Sequence, residues 1–515
     1  MQLAILHYHL NPGGVTKVIA NHLSSLDAVL PDDARWPVLV LCDGEMGGWP
    51  TEQIERLQRL DVTVEAVPSL GYDAEPIARP DALADELQEV LTRHGFSATA
   101  TLIHAHNHSL GKNASLPGAL RRLADEGYSL LLQPHDFAED FRPANYRHLT
   151  QTLGMDDLSA DVYFQAEYVH YATLNGRDFN VLSNAGVSAE RLHFLPNPVP
   201  EMGELPSREE ARAKLEERFG VSPEDRYVLY PVRGIRRKNV GEMVLLSLLQ
   251  NSEGAPKTYF GLTLAPQNPV ALPYYERWKE VVAELELPCL FNTGSEGGLS
   301  FHENLAAADC ILTTSVAEGF GMVFLESWLA GRPLVGRNLP EITADFVESG
   351  LNMDSLYEQV VFPIDWVGRE QVVDTLWPVC QEMFADFHQP SPSQSEVEAV
   401  ITRLSADGTI DVGILSEPLQ ERVIATAATH AVQRQQLRIL NPTLSHWGEI
   451  SSGTIKANQE IIRQHYSTVA SGERLMSIYE TVFGSRRDGG FEEPARGSAI
   501  LDAFLSLERF QVIRT

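Results

Sequence analysis

The chain has 515 residues, of which 43% are hydrophobic, and its 40 basic and 70 acidic side chains give a formal net charge of −30. One hydrophobic core rarely grows to this length, so we expect two to four domains. The negative charge repels phosphate backbones and anionic lipids, which argues against nucleic acid or a membrane surface as the main partner. Two explanations of this charge stay open, namely adaptation to salt or internal solute and a GC-rich genome.

The spacing of the cysteines and the length of the apolar runs both bear on where in the cell the protein is expected. The four cysteines lack the spacing of a metal site, which predicts reduced thiols in a cytosolic protein. They are Cys42, Cys289, Cys310 and Cys380. No apolar stretch reaches the length of a membrane span, and no basic leader precedes the first strand pattern. We therefore expect a cytoplasmic protein without integral membrane contact.

Strand and helix patterns alternate through the first 200 residues. Apolar runs predict strands at 2–8, 36–42, 62–67, 101–106 and 129–133. This alternation predicts a parallel sheet with helices on its faces. Gly13 and Gly14 open the first helix, which carries Lys17, and such a turn at a helix N-terminus suits an anion. The turn lacks the G-x-G-x-x-G motif, which argues against a bound dinucleotide.

Polar side chains follow two of these strands. His104 and His106 end the run TLIHAH, and the run SLLLQ leads to His135, Asp136 and, in the loop beyond, Arg142. Because parallel sheets bind ligands at the carboxyl ends of their strands, we expect these residues to contact substrate. A zinc site is the alternative for the histidine-rich stretch, but neither an H-E-x-x-H motif nor paired cysteines complete it. We therefore predict no metal site.

The second half follows a Pro- and Glu-rich stretch at 198–210 that predicts an interdomain linker. A strand pattern then enters a turn with four cations in six residues, Arg233, Arg236, Arg237 and Lys238. At the carboxyl end of a buried parallel strand such a turn would neutralise a diphosphate, and a solvated basic turn is the alternative. Further strands are predicted at 258–264, 290–293, 310–314, 334–338 and 361–366.

The stretch SVAEGFGMVFLESWLAGRP at 315–333 combines a glycine turn with two carboxylates eight positions apart. Its residues of interest are, in order, Glu318, Gly319, Phe320, Gly321, Met322 and Glu326. Backbone N–H groups of a glycine turn before a helix can hold a phosphate, and the carboxylates can accept hydrogen bonds from sugar hydroxyls. The combination indicates a nucleotide sugar. The alternative is an ordinary strand, turn and helix with solvated carboxylates.

The same stretch resembles the E-x7-E signature of retaining glycosyltransferases with two Rossmann-like domains, the GT-B type, and in particular family four. The resemblance implies that Glu318 contacts hydroxyls of the donor sugar and that Glu326 binds the nucleotide ribose. It implies that residues 319–322 hold the diphosphate and the sugar. It also implies that Arg233 and Lys238 stabilise the leaving diphosphate.

Other family motifs match positions in the first half, and the resemblance covers roughly residues 1–365. They imply that His135 reaches the donor sugar as a catalytic residue, and that Gly13 and Gly14 lie beneath the donor phosphates. The candidate acceptor contacts are Lys17, His106, Asp136 and Arg142.

These features predict an α/β protein with two Rossmann-like domains facing across a cleft and an additional, mostly helical C-terminal region. The expected bounds are 1–200 for the acceptor domain, 201–366 for the donor domain and 367–515 for the helical extension. Part of this extension is expected to cross back onto the first domain. A homodimer through the extension is an open alternative to a monomer.

The expected reaction moves a hexose, with retention, from a nucleotide sugar to a hydroxyl of a small soluble acceptor, as in osmolyte or oligosaccharide synthesis. The nucleotide sugar is a co-substrate, and we expect no cofactor and no metal, because cationic side chains and helix ends can carry the leaving-group charge. Two other functions stay open. One is an epimerase or inverting transferase on the same fold, and the other is a catalytically silent, sugar-nucleotide-binding scaffold.

Overall fold

The computed structural model describes residues 1–155, 158–252, 254–447, 450–485 and 489–514. The chain forms two compact units. The first contains Met1–Pro200 with Met383–Gln389 and Arg463–Ser506, and the second contains Glu201–Glu382, Pro390–Ile462 and the described residues from Leu507 onward. Residues 367–515, predicted as a helical extension that partly crosses back onto the first domain, contribute to both units.

The first unit is built on a seven-stranded parallel sheet in the order β3-β2-β1-β4-β5-β6-β7. Its strands are β1 (Gln2–Leu6), β2 (Trp36–Cys42), β3 (Leu60–Ala66), β4 (Thr101–His106), β5 (Ser129–Gln133), β6 (Val169–Thr173) and β7 (Leu192–Phe194). The α-helices between them are α1 (Gly14–Val29), α2 (Thr51–Ile54), α3 (Pro80–Arg93), α4 (Leu116–Asp125), α5 (Pro143–Leu153), α6 (Ser159–Val162) and α7 (Gly176–Ala185). The predicted strands at 36–42, 101–106 and 129–133 are confirmed to the residue.

Apolar runs form the central strands because helices cover both faces of a parallel sheet. All six residues of β4 and all five of β5 are buried. These two strands are neighbours in parallel register, with His104 opposite Leu131 and His106 opposite Gln133. Their carboxyl ends therefore meet at one edge of the sheet.

The second unit is built on a six-stranded parallel sheet in the order β10-β9-β8-β11-β12-β13. Its strands are β8 (Arg226–Arg233), β9 (Thr258–Leu264), β10 (Cys289–Phe291), β11 (Cys310–Thr313), β12 (Leu334–Arg337) and β13 (Leu356–Tyr357). The α-helices that accompany them are α8 (Arg208–Phe219), α9 (Val240–Leu249), α10 (Leu272–Glu284), α11 (Phe301–Ala307), α12 (Val323–Leu329) and α13 (Pro340–Glu348). Because β8 and β11 are neighbours, the loops that follow them start side by side.

The strand predicted at 361–366 is partly wrong. Strand β14 (Val361–Pro363) ends three residues earlier, where a 3₁₀ turn over Ile364–Trp366 begins. Its partner is the antiparallel strand β15 (Thr409–Asp411), so it forms a separate two-stranded sheet and does not extend the parallel one.

Helices dominate the remainder, as expected. They are α14 (Arg369–Asp386), α15 (Gln394–Leu404), α16 (Glu417–Thr429), α17 (Ala431–Leu440), α18 (Ser452–His465), α19 (Thr468–Gly484) and α20 (Gly497–Phe504). Helices α19 and α20 belong to the first unit. Leu475, Ile478 and Val482 of α19 join the apolar core around Leu23 and Leu26 of α1, so the C-terminal part of the chain completes the core of the first unit.

All four cysteines are unpaired and buried. Among the described residues, no helix has the length and apolarity needed to cross a bilayer.

Candidate functional site

The basic turn of the second unit follows β8. Arg236–Lys238 form a 3₁₀ turn, and Asn239, with a φ of 52°, ends it before α9 begins. The hydroxyls of Tyr230 and Thr314 both donate hydrogen bonds to the carbonyl oxygen of Lys238, each at 2.9 Å. Because Thr314 immediately follows β11, these bonds fix the basic turn against the end of the neighbouring strand.

Glu318 lies at this junction and is paired with two cations. Arg237 Nη1 donates to Glu318 Oε2 at 2.9 Å, and Lys238 Nζ donates to Glu318 Oε1. Arg237 also donates to the carbonyl oxygen of Ala317 at 2.6 Å. Two of the residues predicted for the donor site, Lys238 and Glu318, are therefore in direct contact. The sequence analysis missed Arg237 as a partner, although it stands next to Lys238 in the turn.

The electrostatics of this cluster favour a charged carboxylate. Burial raises the pKa of Glu318, but the charges of Lys238 and Arg237 outweigh burial and lower that pKa to about 2. Two cations and one carboxylate leave a surplus of one positive charge. Arg237 is 38% exposed in its side chain, against 9% for Glu318, so part of that charge is accessible to an anion.

The other two cations of the turn have separate environments. Arg236 Nε donates to Glu417 at 2.6 Å, and its guanidinium lies over the ring of Tyr274 at 4.4 Å. Arg233 is the exposed last residue of β8, with a long contact of 3.5 Å from Nη1 to the carbonyl oxygen of Ala265. The structure therefore divides the four cations, with Arg237 and Lys238 at Glu318.

The glycine turn after Glu318 is shaped by close packing. Gly321 has a φ of 81°, and a Cβ there would come within 2.6 Å of the Phe324 ring, so a larger residue is strained on both counts. Phe320 is buried and meets Phe346 edge to face at 5.5 Å. Glu326 lies in the first turn of α12. Its backbone N–H donates a hydrogen bond to the carbonyl oxygen of Met322 at 2.8 Å. This arrangement places Glu326 one helical turn beyond the glycines.

In the first unit, Asn107 organises the ends of β4 and β5. Its side-chain Oδ1 accepts hydrogen bonds from the backbone N–H groups of both His135 and Asp136, each at 2.8 Å. Its carbonyl oxygen accepts one from Tyr8 at 2.7 Å. Asn107 has a φ of 62°, a conformation that Asn tolerates better than most residues. The sequence analysis missed this role.

His135 and His106 form a directly bonded pair. His106 Nδ1 lies 2.8 Å from His135 Nε2. His106 is fully buried, whereas His135 is 7% exposed. A ligand can therefore contact His135 directly, and His106 can act on it only through His135. Burial lowers the pKa of His135 to about 3, with His7 adding to the effect and Asp136 opposing it. Both rings are thus neutral near neutral pH.

The remaining candidates of the first unit lie in the loop after β5 and at the start of α1. Asp136 and Arg142 form an ion pair, and Arg142 Nη1 also donates to the carbonyl oxygen of Asp140 at 2.9 Å. Gly13 is the N-cap of α1, and a Cβ on Gly14 would have no atom of the described residues within 4 Å. Open space therefore lies beside this turn, whose helix also carries the exposed Lys17.

One group among the described residues brings three potential metal ligands together. Ring nitrogens of His22, His104 and His106 lie within 4.8 Å of one another, and all three residues are buried. The group belongs to the first unit, on α1 and β4.

Comparisons with known proteins place the architecture. No family model matches the chain. Among solved structures, HepE from Anabaena, in complex with UDP and glucose, is 15% identical with a TM-score of 0.52, over 93% of this chain and 100% of that one. Sucrose-phosphate synthase from Thermosynechococcus elongatus is 14% identical with a TM-score of 0.51, over 94% and 99%. The two parallel sheets thus have the GT-B glycosyltransferase fold, which confirms the predicted fold class.

A relative with a curated name gives a second comparison. Mannosylglucosyl-3-phosphoglycerate synthase from Petrotoga mobilis is 27% identical over 355 residues, which are 67% of this chain. The match spans 66% of the relative, just under two thirds of its length.

Proposed function

We propose that this protein is a retaining glycosyltransferase that moves a hexose from a nucleotide sugar to a hydroxyl of a small acceptor. The observation that carries the proposal is the cluster of Glu318, Lys238 and Arg237 beside a glycine turn. A buried carboxylate that stays ionised can hold sugar hydroxyls, and the surplus positive charge next to it suits the diphosphate of the donor. The UDP and glucose bound by HepE and the sugar-transfer names of the other relatives support this assignment.

In the proposed donor site, each residue has a distinct task. Glu318 accepts hydrogen bonds from hydroxyls of the sugar, and Glu326 accepts them from the ribose. The backbone of residues 319–322 holds the diphosphate and the sugar. Lys238 and Arg233 stabilise the negative charge that develops on the leaving diphosphate.

The proposed reaction is attack on the face from which the diphosphate leaves. The bond between the anomeric carbon and the phosphate oxygen breaks, and a bond from that carbon to the acceptor oxygen forms on the same side. The proton of the acceptor hydroxyl passes to the leaving phosphate. Because charge develops mainly on that phosphate, the cations that meet it should contribute more to the rate than any side-chain base.

From the first unit we assign His135 to the donor sugar and Gly13 with Gly14 to the donor phosphates. The lowered pKa of His135 makes it a neutral hydrogen-bonding group and not a source of positive charge. Lys17, Asp136 and Arg142 are assigned to the acceptor. His106, predicted as an acceptor contact, is buried and acts instead through its bond to His135. A cytoplasmic location and a monomeric or dimeric state remain expectations from the sequence.

The name of the Petrotoga relative supports one acceptor class. Its product carries two sugars on a phosphorylated organic acid. Glycosides of small phosphorylated acids are therefore the first acceptors to test. Lys17 and Arg142 supply the cationic groups such an acceptor needs.

We also propose transfer without a divalent cation at the diphosphate, because Lys238 and Arg237 already bring two positive charges to a buried carboxylate. Added Mg²⁺ or Mn²⁺ should leave the initial rate unchanged. A strict requirement for either ion would contradict this part of the proposal.

The donor site is tested by thermal unfolding with UDP, GDP, ADP and their sugar conjugates. A ligand that binds only the folded protein at about 100 times its Kd stabilises it by about 2.7 kcal/mol. One nucleotide series should raise the Tm of the wild type, and Glu326→Ala and Arg233→Ala should abolish the shift. Glu508→Ala, at an exposed side chain, is the control that keeps it.

The reaction is tested with that donor and the acceptor panel, followed by NMR assignment of the anomeric configuration. A product that retains the configuration of the donor supports the proposal. Inversion would indicate an inverting transferase, and isomerisation of the donor without acceptor would indicate an epimerase. The absence of any nucleotide effect on Tm would overturn the donor site and favour the silent scaffold.

A further inference from the structure

Three histidines converge in the interior of the first unit. His104 and His106 are two residues apart on β4 and so project from the same face of the sheet, and His22 reaches them from α1. All three are 0% exposed. The His104 and His106 rings stack with centroids 4.2 Å apart, and the His22 ring lies 5.9 Å from one and 6.0 Å from the other.

Three ring nitrogens of this group have no hydrogen-bond partner among the described residues. They are Nδ1 and Nε2 of His22 and Nε2 of His106. A buried polar atom without a partner costs about 1–3 kcal/mol, so a native interior normally satisfies it with protein, water or an ion. Here the unmet nitrogens belong to residues whose ligand atoms lie within 4.8 Å of one another. One central ion would take one of the two His22 nitrogens and Nε2 of His106.

We propose that His22, His104 and His106 bind one Zn²⁺-type divalent ion inside the first unit. Neutral imidazole nitrogen is a preferred ligand of Zn²⁺, whereas Mg²⁺ and Ca²⁺ prefer oxygen. This site is separate from the diphosphate contacts and does not depend on the proposed transferase function.

The surroundings fit a ligand set of this kind. Histidines that bind metal usually bond their other ring nitrogen to a neighbouring group, which fixes the ring. His106 Nδ1 already meets His135 Nε2 at 2.8 Å. His104 meets Tyr479 Oη at 2.8 Å and Gln133 Oε1 at 3.0 Å, so it exchanges one of these bonds for the metal and keeps the other.

Metal binding would also fix the tautomer of His135. With the ion on Nε2, His106 carries its proton on Nδ1 and donates it to Nε2 of His135. Neutral His135 then carries its own proton on Nδ1. The ion would therefore turn His106 into a positioning residue that presents a defined hydrogen-bond donor at His135.

The test uses the full chain without a polyhistidine tag, treated with a chelator and then dialysed against ZnSO₄ or CoCl₂. We expect about one tightly held ion per chain by elemental analysis. X-ray absorption at the zinc edge should show imidazole nitrogens at about 2.0–2.1 Å. The Tm should rise with Zn²⁺ alone, without any nucleotide.

The variant His22→Leu should bind the ion at least about 10–100-fold more weakly. Removing a residue that only hydrogen-bonds a metal ligand already costs that much affinity, and here a ligand itself is removed. The matched control is His108→Leu, because His108 is equally buried and its Nε2 lies 3.2 Å from the carbonyl oxygen of Val162, outside the three-histidine group. This control should retain wild-type affinity.

Several outcomes would overturn the site. These are less than stoichiometric uptake by the wild type, equal affinity in His22→Leu and His108→Leu, or a first shell of oxygen or sulfur. Water alone would then satisfy the histidines. If His22→Leu does not fold, the absorption spectrum of the wild type still decides the ligand set. None of these measurements uses a sugar donor, so failure here is distinct from failure of the transferase proposal.

Discussion

Two buried ionic clusters of the second unit have opposite compositions. In one, Glu318 is held by two cations, Arg237 and Lys238. In the other, Arg337 is held between two carboxylates, Glu242 at 3.0 Å and Asp411 at 2.8 Å. The first cluster carries a net charge of about +1 and the second about −1, by a count of their ionised groups.

The two clusters also differ in access. The side chains of Arg337, Glu242 and Asp411 are 4%, 0% and 6% exposed, so this cluster is sealed. Arg237, at 38%, leaves the Glu318 cluster partly open. A sealed cluster that joins β12, α9 and the end of β15 can only stabilise the unit. The open one, with its surplus cation, can also receive an anion.

The largest expected effect is on stability, at the sealed cluster. Arg337→Met leaves Glu242 and Asp411 buried without their cation, and breaking a buried pair in this way costs about 3–5 kcal/mol. Urea unfolding should show this loss. The control is Arg403→Ala, which removes an ion pair with Glu508 that is 59% and 66% exposed and should cost at most about 1 kcal/mol. Equal losses in both variants would show that the sealed cluster has no structural role.

The next effect is on activity, at the open cluster. Lys238→Met removes a cation that is proposed to contact the leaving diphosphate. It should lower kcat by about 10²–10³-fold, as the removal of one charge-stabilising donor does in other enzymes. Its matched control is Arg236→Met in the same turn, since Arg236 pairs with Glu417. An equal loss of kcat in both variants would indicate damage to the turn and not loss of a specific charge.

The sequence predicted the regular elements well, for a physical reason. Strands such as 101–106 and 258–264 lie in buried parallel sheets, where continuous apolar runs are the main determinant. The glycine turn after Glu318 was predicted because glycines between a strand pattern and a helix pattern indicate a turn from local sequence alone. Arg237 was missed because spacing alone cannot show that two consecutive cations of a tight turn, Arg237 and Lys238, both reach the same distant carboxylate.

Contacts between distant segments were beyond the sequence analysis. The bonds of Arg337 span 95 positions to Glu242 and 74 to Asp411, and no local pattern encodes them. The histidine cluster shows the same limit. Its third member, His22, comes from a helix earlier in the chain, whereas the zinc hypothesis was dismissed for want of downstream ligands. The prediction of no metal site therefore depended on where partners were sought.

The smallest expected effect is on the pH dependence of stability, and it has opposite signs at the two clusters. Lys238 and Arg237 overcome burial and lower the pKa of Glu318 to about 2, against an ordinary value of 4.5. Glu318 therefore adds stability above about pH 4.5, and this is lost as the pH falls towards 2. Burial raises the pKa of Glu242, with Arg337 opposing and Asp411 adding to the rise, so its contribution is greatest at low pH and declines as the pH increases.

Urea unfolding of Glu318→Gln and Glu242→Gln at about pH 7 and about pH 4 separates the two cases. The loss of unfolding free energy caused by Glu318→Gln should be about 1 kcal/mol larger at about pH 7 than at about pH 4, because only at the higher pH does the native carboxylate gain fully from its two cations. The loss of unfolding free energy caused by Glu242→Gln should be smaller at the higher pH, because the substitution removes a carboxyl group whose ionisation is opposed by burial. Each variant serves as the control for the other. If both losses changed with pH in the same direction, the difference in charge between the clusters would not govern their titration, and the surplus cation at Glu318 would no longer support an anion site.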